Sequence, residues 1–499
     1  MKNALLIFAF LSFYLSSVHG SVEIRSNKLT TGDGLANNSI RYMFQDSKGF
    51  MWMGTVNGLS YYDGNSFVSI YPDPNLPVSL ADPRIRNMEE DSNVFLWIAT
   101  LSSLYSCYDL KHGRFVDFTG CGEYKQSYSK KIIASDQSVW LWDNNNGCRR
   151  VVYQNGQFSS QAYKKESGNL SSDEVLFVYE SNDSPGHVWI GTRQGLWKYH
   201  EGKLEAMDTQ GESWEHIFSY DQYTCIITGK KEIYRHSLSN NRLEKIASLT
   251  ELGDTGVITG SLRLQHQWVM FTATGSYILD PVTGKLRRFS RLNIKNGNVT
   301  RDNKGNAWVH NYTGNVWYVN TSTGDIKPFQ FLSSEHLGYI DVERYSIIHD
   351  SRDIIWITTY GNGLFAYDLN TGGLQHFTFE VSHSSHINSN YLQYIIEDRS
   401  GGIWVSSEFS GLSHLEILNK GTLRIYPNGE NASDRSNTIR MLLRGKNGNV
   451  FMANRMGTLY EYDAGLKNIL RKEKFTHNVY SMCEDNEGQL WLGMRGIGL

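Results

Sequence analysis

A short motif returns along almost the whole chain at a nearly constant interval. It consists of an aspartate, a glycine three residues later and a tryptophan three residues after the glycine, as in Asp46, Gly49 and Trp52. The strict copies centre on Trp52, Trp189, Trp308, Trp404 and Trp491, looser copies on Trp97, Trp140, Trp268 and Trp356, and two further units carry Cys225 and Phe451 instead. Eleven units, one roughly every 44 residues, predict an array of equal structural repeats.

The first unit indicates what each repeat folds into. Ile40–Gln45 alternates apolar and polar residues, as a half-buried strand does. Three more short strand-like segments follow, Phe50–Thr55, Leu59–Tyr62 and Phe67–Tyr71, and aspartate, asparagine or glycine fills each gap. Four antiparallel strands per unit predict an all-β protein, a β-propeller with one blade per repeat. The nine anchor tryptophans are then expected to be core residues between neighbouring blades.

The net charge and the N-terminal residues limit the binding partners and the cellular location that the sequence predicts. The formal net charge of −3 gives no electrostatic case for binding nucleic acid or an anionic membrane. Lys2, the apolar run Ala4–Leu15 and the small residues up to Gly20 predict a signal peptide, residues 1–20, and export. No later apolar run is long enough to span a bilayer, so the mature sequence predicts no membrane span of its own.

The reactive side chains form no recognisable catalytic or metal-binding motif. The fifteen histidines include one close pair, His383 and His386, which lacks a nearby cysteine or carboxylate at metal spacing. Adjacent carboxylates recur at the hairpin turns of the repeat, which favours turn formation over glycosidase chemistry. These groups are Glu89-Glu90-Asp91, Glu397-Asp398 and Glu484-Asp485. We therefore expect no enzyme activity, no metal and no cofactor.

The five cysteines are odd in number, so not all of them can pair within the chain. They are Cys107, Cys121, Cys148, Cys225 and Cys483, and their spacing matches no zinc or redox motif. The sequence favours buried free thiols. A bridge between Cys107 and Cys121, or between Cys121 and Cys148, stays open because an exported protein can form disulfides.

Residues outside the repeat are the candidates for ligand binding. Four tryptophans are not anchors: Trp142, Trp197, Trp214 and Trp317. Trp197 and Trp317 occupy equivalent third-strand positions at which other blades carry different residues, so the repeat itself does not need them. Their aromatic faces would suit sugar rings, although local packing is the plainer interpretation. The long connections between blades are further candidates: 72–83, 164–173, 379–390 and 427–437.

Three segments near the start of the chain carry a family resemblance. Leu29–Leu35, Gln45–Thr55 and Gly58–Gly64 resemble the two-component regulator propeller repeats of hybrid two-component sensors. In that family an exported region of two seven-bladed propellers and a β-sandwich precedes a membrane helix, a histidine kinase and a DNA-binding regulator. The resemblance implies a periplasmic sensor domain that binds an oligosaccharide, pairs with a second copy and controls polysaccharide use.

The same resemblance predicts how the blades are grouped. The first seven anchors would form a complete seven-bladed propeller over residues 21–332, and the last four an incomplete second propeller over 333–499. The chain would then stop short of the remaining blades, the membrane helix and both signalling domains. Val22–Leu29 is expected to complete the blade around Trp308 and Ile326–Leu332 to belong to the second propeller. Alternatively, Ile326–Leu332 closes the Trp308 blade itself.

Three functions follow as hypotheses. The leading one is a ligand-sensing ectodomain with a non-covalently bound oligosaccharide. The second is a secreted polysaccharide lyase or hydrolase, which would need an unrepeated cluster of catalytic side chains in the central channel. The third is a propeller that binds another protein through a flat apolar face.

Overall fold

The computed structural model describes residues 23–120, 127–181, 184–208, 213–229, 232–238, 241–254, 257–302, 305–311, 316–329, 346–380, 386–418, 425–428, 435–466 and 468–496. The predicted signal peptide, Cys121, Asp183 and His383 lie outside these ranges. Within them the helical elements are four short 3-10 turns: Thr31–Asp33, Leu249–Leu252, Ser290–Leu292 and Arg435–Asn437. None of the described helices is long and apolar enough to cross a membrane.

The described strands form eleven antiparallel sheets, numbered here as blades in chain order. A first strand, β1, covers Glu23–Leu29. Blade 1 contains β2 (Ile40–Gln45), β3 (Met51–Thr55), β4 (Leu59–Tyr62) and β5 (Phe67–Ile70); blade 2 contains β6 (Ile85–Glu90), β7 (Phe95–Thr100), β8 (Tyr105–Asp109) and β9 (Arg114–Val116). Blade 3 contains β10 (Lys130–Ile133), β11 (Val139–Trp142), β12 (Cys148–Gln154) and β13 (Gln157–Tyr163); blade 4 contains β14 (Val175–Ser181), β15 (Ser184–Thr192), β16 (Gly195–His200) and β17 (Lys203–Asp208). Blade 5 contains β18 (Trp214–Asp221), β19 (Thr224–Gly229), β20 (Glu232–Ser237) and β21 (Arg242–Ser248); blade 6 contains β22 (Gly260–Leu264), β23 (Gln267–Phe271), β24 (Ser276–Leu279) and β25 (Leu286–Arg288).

The later blades follow the same order. Blade 7 contains β26 (Asn298–Arg301), β27 (Ala307–His310), β28 (Val316–Val319) and β29 (Ile326–Phe329); blade 8 contains β30 (Ile347–His349), β31 (Ile354–Thr358), β32 (Leu364–Asp368) and β33 (Leu374–Phe377). Blade 9 contains β34 (Leu392–Glu397), β35 (Ile403–Ser407) and β36 (Leu412–Leu418). Blade 10 contains β37 (Ile439–Arg444), β38 (Val450–Asn454), β39 (Thr458–Tyr462) and β40 (Ile469–Lys474); blade 11 contains β41 (Val479–Glu484) and β42 (Leu490–Met494). The eleven sheets confirm the propeller prediction, including the units around Cys225 and Trp268.

The repeated aspartate holds both the first turn of a blade and the anchor tryptophan. In blade 1, Asp46 is fully buried, and its Oδ1 accepts a hydrogen bond of 2.9 Å from the backbone N–H of Phe50. Its Oδ2 accepts one of 2.8 Å from Nε1 of Trp52. The same tryptophan bond is present in five further blades, at distances of 2.7–3.3 Å. The motif spacing therefore lets one carboxylate satisfy a turn and a buried indole together.

Eight of the nine anchor tryptophans are buried, as predicted, with at most 6% of their surface exposed. Trp491 differs, because it is 46% exposed in blade 11, for which two strands are described. The indole N–H groups of Trp140 and Trp268 have no hydrogen-bond partner among the described residues. Six positions earlier, Ala134 and Leu262 replace the aspartate. These two loose copies of the motif thus keep the packing and lose the hydrogen bond, whereas the loose copies at Trp97 and Trp356 keep both.

A second carboxylate ties each of several blades to the one before it. In the first such contact, Glu90 accepts hydrogen bonds of 2.6 Å from both the backbone N–H and the hydroxyl of Ser47. Glu180 binds Ser135 in the same way, as Glu397 binds Ser351. The aspartates beside these glutamates form the turns that the sequence predicts. The glutamates have the additional role of clamping neighbouring blades.

Two compact units make up the chain, Met1–Ile417 and Leu418–Leu499. The first holds blades 1–9, and the second holds blades 10 and 11. The predicted boundary between residues 332 and 333 therefore differs from the structure. Blades 7 and 8 share a core that includes Trp308 and Ile355, and Nδ1 of His349 lies 3.2 Å from Oδ2 of Asp302. These blades pack like the other neighbouring pairs, and the described part of the first unit contains nine blades where the sequence predicted seven.

The N-terminal strand closes the first unit on blade 9. β1 pairs with β36, so the prediction that it completes the blade around Trp308 is wrong. Blade 7 has its own fourth strand, β29, in which Pro328 pairs with Trp317, and this confirms the alternative interpretation. Within the described residues of the first unit, blade 9 has only three strands of its own, which leaves an outer edge for β1 to cover.

Side-chain contacts reinforce this closure on both sides. Ile24 of β1 is buried in a core with Trp356 and Leu415, and Arg25 forms an ion pair of 3.5 Å with Glu416. Between blades 9 and 1, the backbone N–H of Arg399 donates a 2.9 Å hydrogen bond to the amide oxygen of Gln45. The ring is therefore continuous from blade 9 to blade 1.

Three of the four described cysteines match the expectation of buried free thiols, and Cys483 does not, because it is exposed. Cys107, Cys148 and Cys225 are buried and unbridged, and Cys483 is exposed and unbridged. Burial raises the pKa of the Cys107 and Cys148 thiols. These three buried thiols therefore act as core residues.

Ring closure can be tested at Gly411, which has a φ of +78°. A Cβ there would lie 2.3 Å from the carbonyl oxygen of Leu29, in the closing strand. We expect Gly411→Ala to detach β1, lower the thermal midpoint and expose the N-terminal strand to protease. Gly64→Ala is the matched control, since Gly64 also has a positive φ, +99°, but no atom within 4 Å of the added Cβ. Equal effects of the two substitutions would contradict the closure.

The buried aspartate gives a second test. Asp46→Ala leaves the indole N–H of Trp52 without its partner inside the core, so we expect a loss of about 1–3 kcal/mol in unfolding free energy. Asp63→Ala in the same blade removes an exposed turn residue whose partners are Asn65 and Ser66, and we expect a smaller loss. Urea denaturation of both variants measures the difference, and a larger effect at Asp63 would refute the ranking.

Two buried histidines predict a pH dependence of stability. Burial lowers the pKa of His236 and of His310 to about 4, from an ordinary value of 6.5. Between pH 4 and pH 6.5 these histidines bind protons in the unfolded chain but stay neutral in the folded chain. Stability is therefore present above about pH 6.5 and falls as the pH drops towards 4, by up to about 3 kcal/mol for each histidine. His236→Gln should flatten this dependence, whereas His266→Gln, at an exposed position, should leave it unchanged. Identical pH curves for wild type and His236→Gln would rule out this contribution.

Candidate functional site

The first strand of each blade forms the inner edge of its sheet. β2, β6, β14 and β18 are each the terminal strand of their sheet, and β2 contacts both β6 and β34 while β14 contacts β18. Polar residues are plentiful on these inner strands, because the strands have a free edge instead of a second pairing partner. The inner strands of the first unit are therefore the elements that surround its central space.

A bulge recurs near the beginning of several inner strands. The strand pairing slips by one residue between Ile40 and Tyr42, and again between Ile85 and Asn87. The same slip occurs between Trp214 and His216. The extra residues are Arg41, Arg86 and Glu215, so the geometry repeats while the side chain changes. Such bulges re-aim a side chain, and the residue at the bulge differs from one inner strand to the next.

Three adjoining cavities form a trough along the inner strands of blades 3–7. The first has a volume of about 430 Å³, the second about 590 Å³ and the third about 510 Å³. The first two share Tyr179 and Phe218 in their walls, and the last two share Arg263 and Arg301. These shared walls make the trough continuous, and an extended ligand could therefore contact several blades at once.

Aromatic and hydrogen-bonding side chains mix at the first end of the trough. Trp142, the last residue of β11, pairs with Lys130 of the inner strand and is 6% exposed. Phe177, Phe218, Glu215 and Asn144 line the same cavity. A mostly apolar wall with a few polar groups is the usual composition of a small-molecule site.

The basic side chains at this end carry less free positive charge than their number suggests, because two have lowered pKa values and one is ion-paired. Burial, with the nearby charge of Arg86, lowers the pKa of Lys130, whose ammonium donates to the carbonyl of Leu176 at 3.3 Å. Burial and Lys130 lower the pKa of His216. Arg193 forms a 2.6 Å ion pair with Glu174. The first end is therefore polar without a large excess of either charge.

The other end of the trough is basic. Arg263 and Arg301 line both the second and the third cavities, and His266 joins them in the third. Nε of Arg263 donates to the carbonyl of Gln265 at 3.0 Å, and its guanidinium stacks over Tyr220 at 5.4 Å. The hydroxyl groups of Ser219, Ser261, Thr321 and Ser322 also face these cavities, and no carboxylate is among their described lining residues.

The structure places one of the four predicted tryptophans in the trough. Trp142 lines its first cavity. Trp214 is 1% exposed and packs with Trp189 and Cys225 between blades 4 and 5. Trp197 and Trp317 pack against the cores shared by blades 3 and 4 and by blades 6 and 7. The four residues are therefore not brought together into one site.

The other expected features contribute less to the trough. The connection 72–83 places Leu80 in the core between blades 1 and 2. His386 is exposed, its carbonyl accepts from the hydroxyl of Ser26, and its partner in the predicted pair lies outside the described residues. The described part of the chain holds no group of three or more side chains placed to bind a metal ion.

Repeated four-stranded sheets around a central space define this chain as a β-propeller protein. Residues 34–57 and 474–496 match the family model described as two component regulator propeller. The first match covers β2 and β3 of blade 1, and the second covers β41 and β42 of blade 11. The chain is similar to the two-component regulator propeller family in these two segments, and both contain the aspartate–glycine–tryptophan motif.

Solved structures show similarity at low identity. The extracellular domain described as part of a one-component system, BT4673 of B. thetaiotaomicron, is 18% identical, with 95% of this chain and 71% of that chain covered and a TM-score of 0.36. The extracellular domain of a hybrid two-component system, BT3049 of the same organism, is 19% identical over 94% and 76%, with a TM-score of 0.30. The Dos1 propeller is 11% identical over 79% and 94%, with a TM-score of 0.45. No curated protein matches the chain. None of these likenesses identifies a ligand for this protein.

Proposed function

We propose that this chain is the extracellular, ligand-sensing part of a two-component regulator, and that its ligand is an oligosaccharide bound in the trough. The family match supports the regulator, and the predicted signal peptide supports export. In this proposal the domain acts in the periplasm as a pair of chains and controls genes for polysaccharide use. Ligand binding would favour one arrangement of the pair over another.

The trough is the single observation that carries the ligand. It is elongated, since its walls come from the inner strands of five successive blades. A linear chain of sugars fits such a shape better than a compact metabolite does. Phe218 and the small exposed part of Trp142 offer apolar surface, and Glu215 and Asn144 offer polar groups for hydroxyls. Flat apolar faces and hydrogen-bonding groups are the two surfaces that a sugar ring presents.

Binding without catalysis fits the described side chains of the trough. Hydrolysis of a glycosidic bond ordinarily uses two carboxyl groups that flank the bond. Glu215 is the one carboxylate among the described residues that line the three cavities. The nearby Glu174 is held by Arg193. The trough thus favours a receptor over the secreted lyase or hydrolase that the sequence leaves open.

Titration calorimetry of the full chain against a panel of oligosaccharides tests the proposal. We expect at least one glycan to bind in the micromolar range, and Trp142→Ala to weaken it by roughly tenfold or more, because an aromatic wall of the trough is lost. Trp142→Phe should retain part of the affinity. Trp197→Ala is the matched control, since Trp197 packs against the same core as Trp142 but does not line the trough, and its loss should change affinity by less than about twofold.

Two results would overturn this proposal. One is a glycan whose binding depends on Trp197 and not on Trp142. The other is release of shortened or unsaturated sugar products, detected by chromatography after incubation with the chain. Circular dichroism of each variant confirms that a lost affinity does not reflect a lost fold.

A further inference from the structure

We infer that the ligand is an acidic oligosaccharide, whose carboxylate or sulfate group binds at Arg263 and Arg301. This inference rests on the proposed function, because it assigns a chemical class to the ligand of the same trough. Both arginines line the two cavities at the basic end, which have volumes of about 590 and 510 Å³. They come from neighbouring inner strands, β22 and β26.

The charge on these two arginines is not balanced locally. Elsewhere in the described chain, arginines such as Arg84, Arg150 and Arg352 form ion pairs of 2.6–2.8 Å with aspartates. Arg263 instead uses Nε for a backbone carbonyl, which leaves its two terminal nitrogens as donors. Neither Arg263 nor Arg301 forms an ion pair with a described carboxylate. A guanidinium in a cavity without a counter-ion is the typical setting for binding an oxyanion in two-pronged geometry.

The hydroxyl groups around the arginines suit the same ligand. Ser219 and Ser261 lie on the second cavity, and Thr321 and Ser322 lie on the third. Hydroxyls donate to the oxygens of a carboxylate or sulfate that the guanidinium groups do not reach, and they also bind sugar hydroxyls. His266 adds two ring nitrogens at the third cavity. The basic end therefore offers donors in several directions around one anionic group.

The first end of the trough, around Trp142, determines the direction in which the oligosaccharide lies. Glu215 lies beside Trp142 there, and its carboxylate would repel an acidic sugar. An oligosaccharide with a neutral sugar at one end and an acid-bearing residue at the other would match both ends. We assign the neutral ring to Trp142 and the acidic group to Arg263 and Arg301.

The test compares ligands that differ only in charge. Titration calorimetry of the full chain would use uronic-acid oligosaccharides, the same oligosaccharides after carboxyl reduction, and sulfated oligosaccharides with their desulfated forms. We expect one acidic member to bind at least tenfold more tightly than its neutral counterpart, with an affinity that falls as salt is raised. Whether the uronate or the sulfated series shows this preference distinguishes the two sources of the anion.

Variants locate the effect on the protein. Arg301→Gln and Arg263→Gln should each reduce affinity for the acidic ligand by roughly tenfold and leave affinity for its neutral counterpart nearly unchanged. Arg114→Gln removes the same charge from an exposed outer strand, β9, and should have no effect on either ligand. Equal loss in Arg114→Gln would show a non-specific effect of net charge and would overturn the assignment.

The failure of this inference can be told apart from the failure of the proposed function. Equal affinity for acidic and neutral oligosaccharides, with dependence on Trp142, would overturn the acidic ligand and leave the oligosaccharide sensor standing. Binding of no oligosaccharide of either kind would overturn both. Binding of inorganic sulfate alone, abolished by Arg301→Gln but without any gain from an attached sugar, would also overturn the inference.

Discussion

One hydrogen bond, between an aspartate carboxylate and a tryptophan indole six residues later, recurs in six of the eleven described blades. The carboxylate could not be buried at low cost if it served the turn alone, and the indole N–H could not be buried unpaired without a penalty. In blade 1 the two groups remove each other's desolvation cost, and Asp46 has no exposed surface at all. The bond fixes the angle between the first hairpin and the core, so that neighbouring sheets can pack on the same tryptophan.

The glutamate clamp then turns separate blades into a ring. A carboxylate at the end of one inner strand, such as Glu90, binds the turn of the preceding blade through two short hydrogen bonds. Between blades 9 and 1 the same kind of position is filled by Gln45, which accepts from the backbone of Arg399. The contact that joins the ends of the ring therefore resembles the contacts within it. β1 adds a fourth strand to blade 9 from the opposite end of the ring's sequence, so opening the ring would require breaking a sheet as well as a clamp.

The blades could be predicted from the sequence because turn chemistry and strand alternation are local. The blade that β1 completes could not be predicted, because the outer edge of one blade is chemically like that of another. The number of blades in a ring depends on small angles between packed sheets, which no residue pattern records. The inner-strand bulges did leave a signal: buried residues lie three apart, as in Ile40 and Met43 and again in Ile85 and Met88. A strict alternation would place them two apart, so this spacing indicates the extra residue.

The candidate site was harder to predict for a related reason. Trp142 differs from Trp197 and Trp317 only by its position at the end of a strand beside the inner edge, and the sequence gives no measure of that distance. The basic end could not be predicted for another reason, since the overall charge of −3 does not show which arginines lie together in the fold. Repetition makes Arg263 and Arg301 informative, because the aspartate and the tryptophan return in most units, whereas these two arginines are not part of the repeated motif. Two unpaired cations in one cavity cost the free protein electrostatic energy, and an anionic ligand would recover that energy on binding.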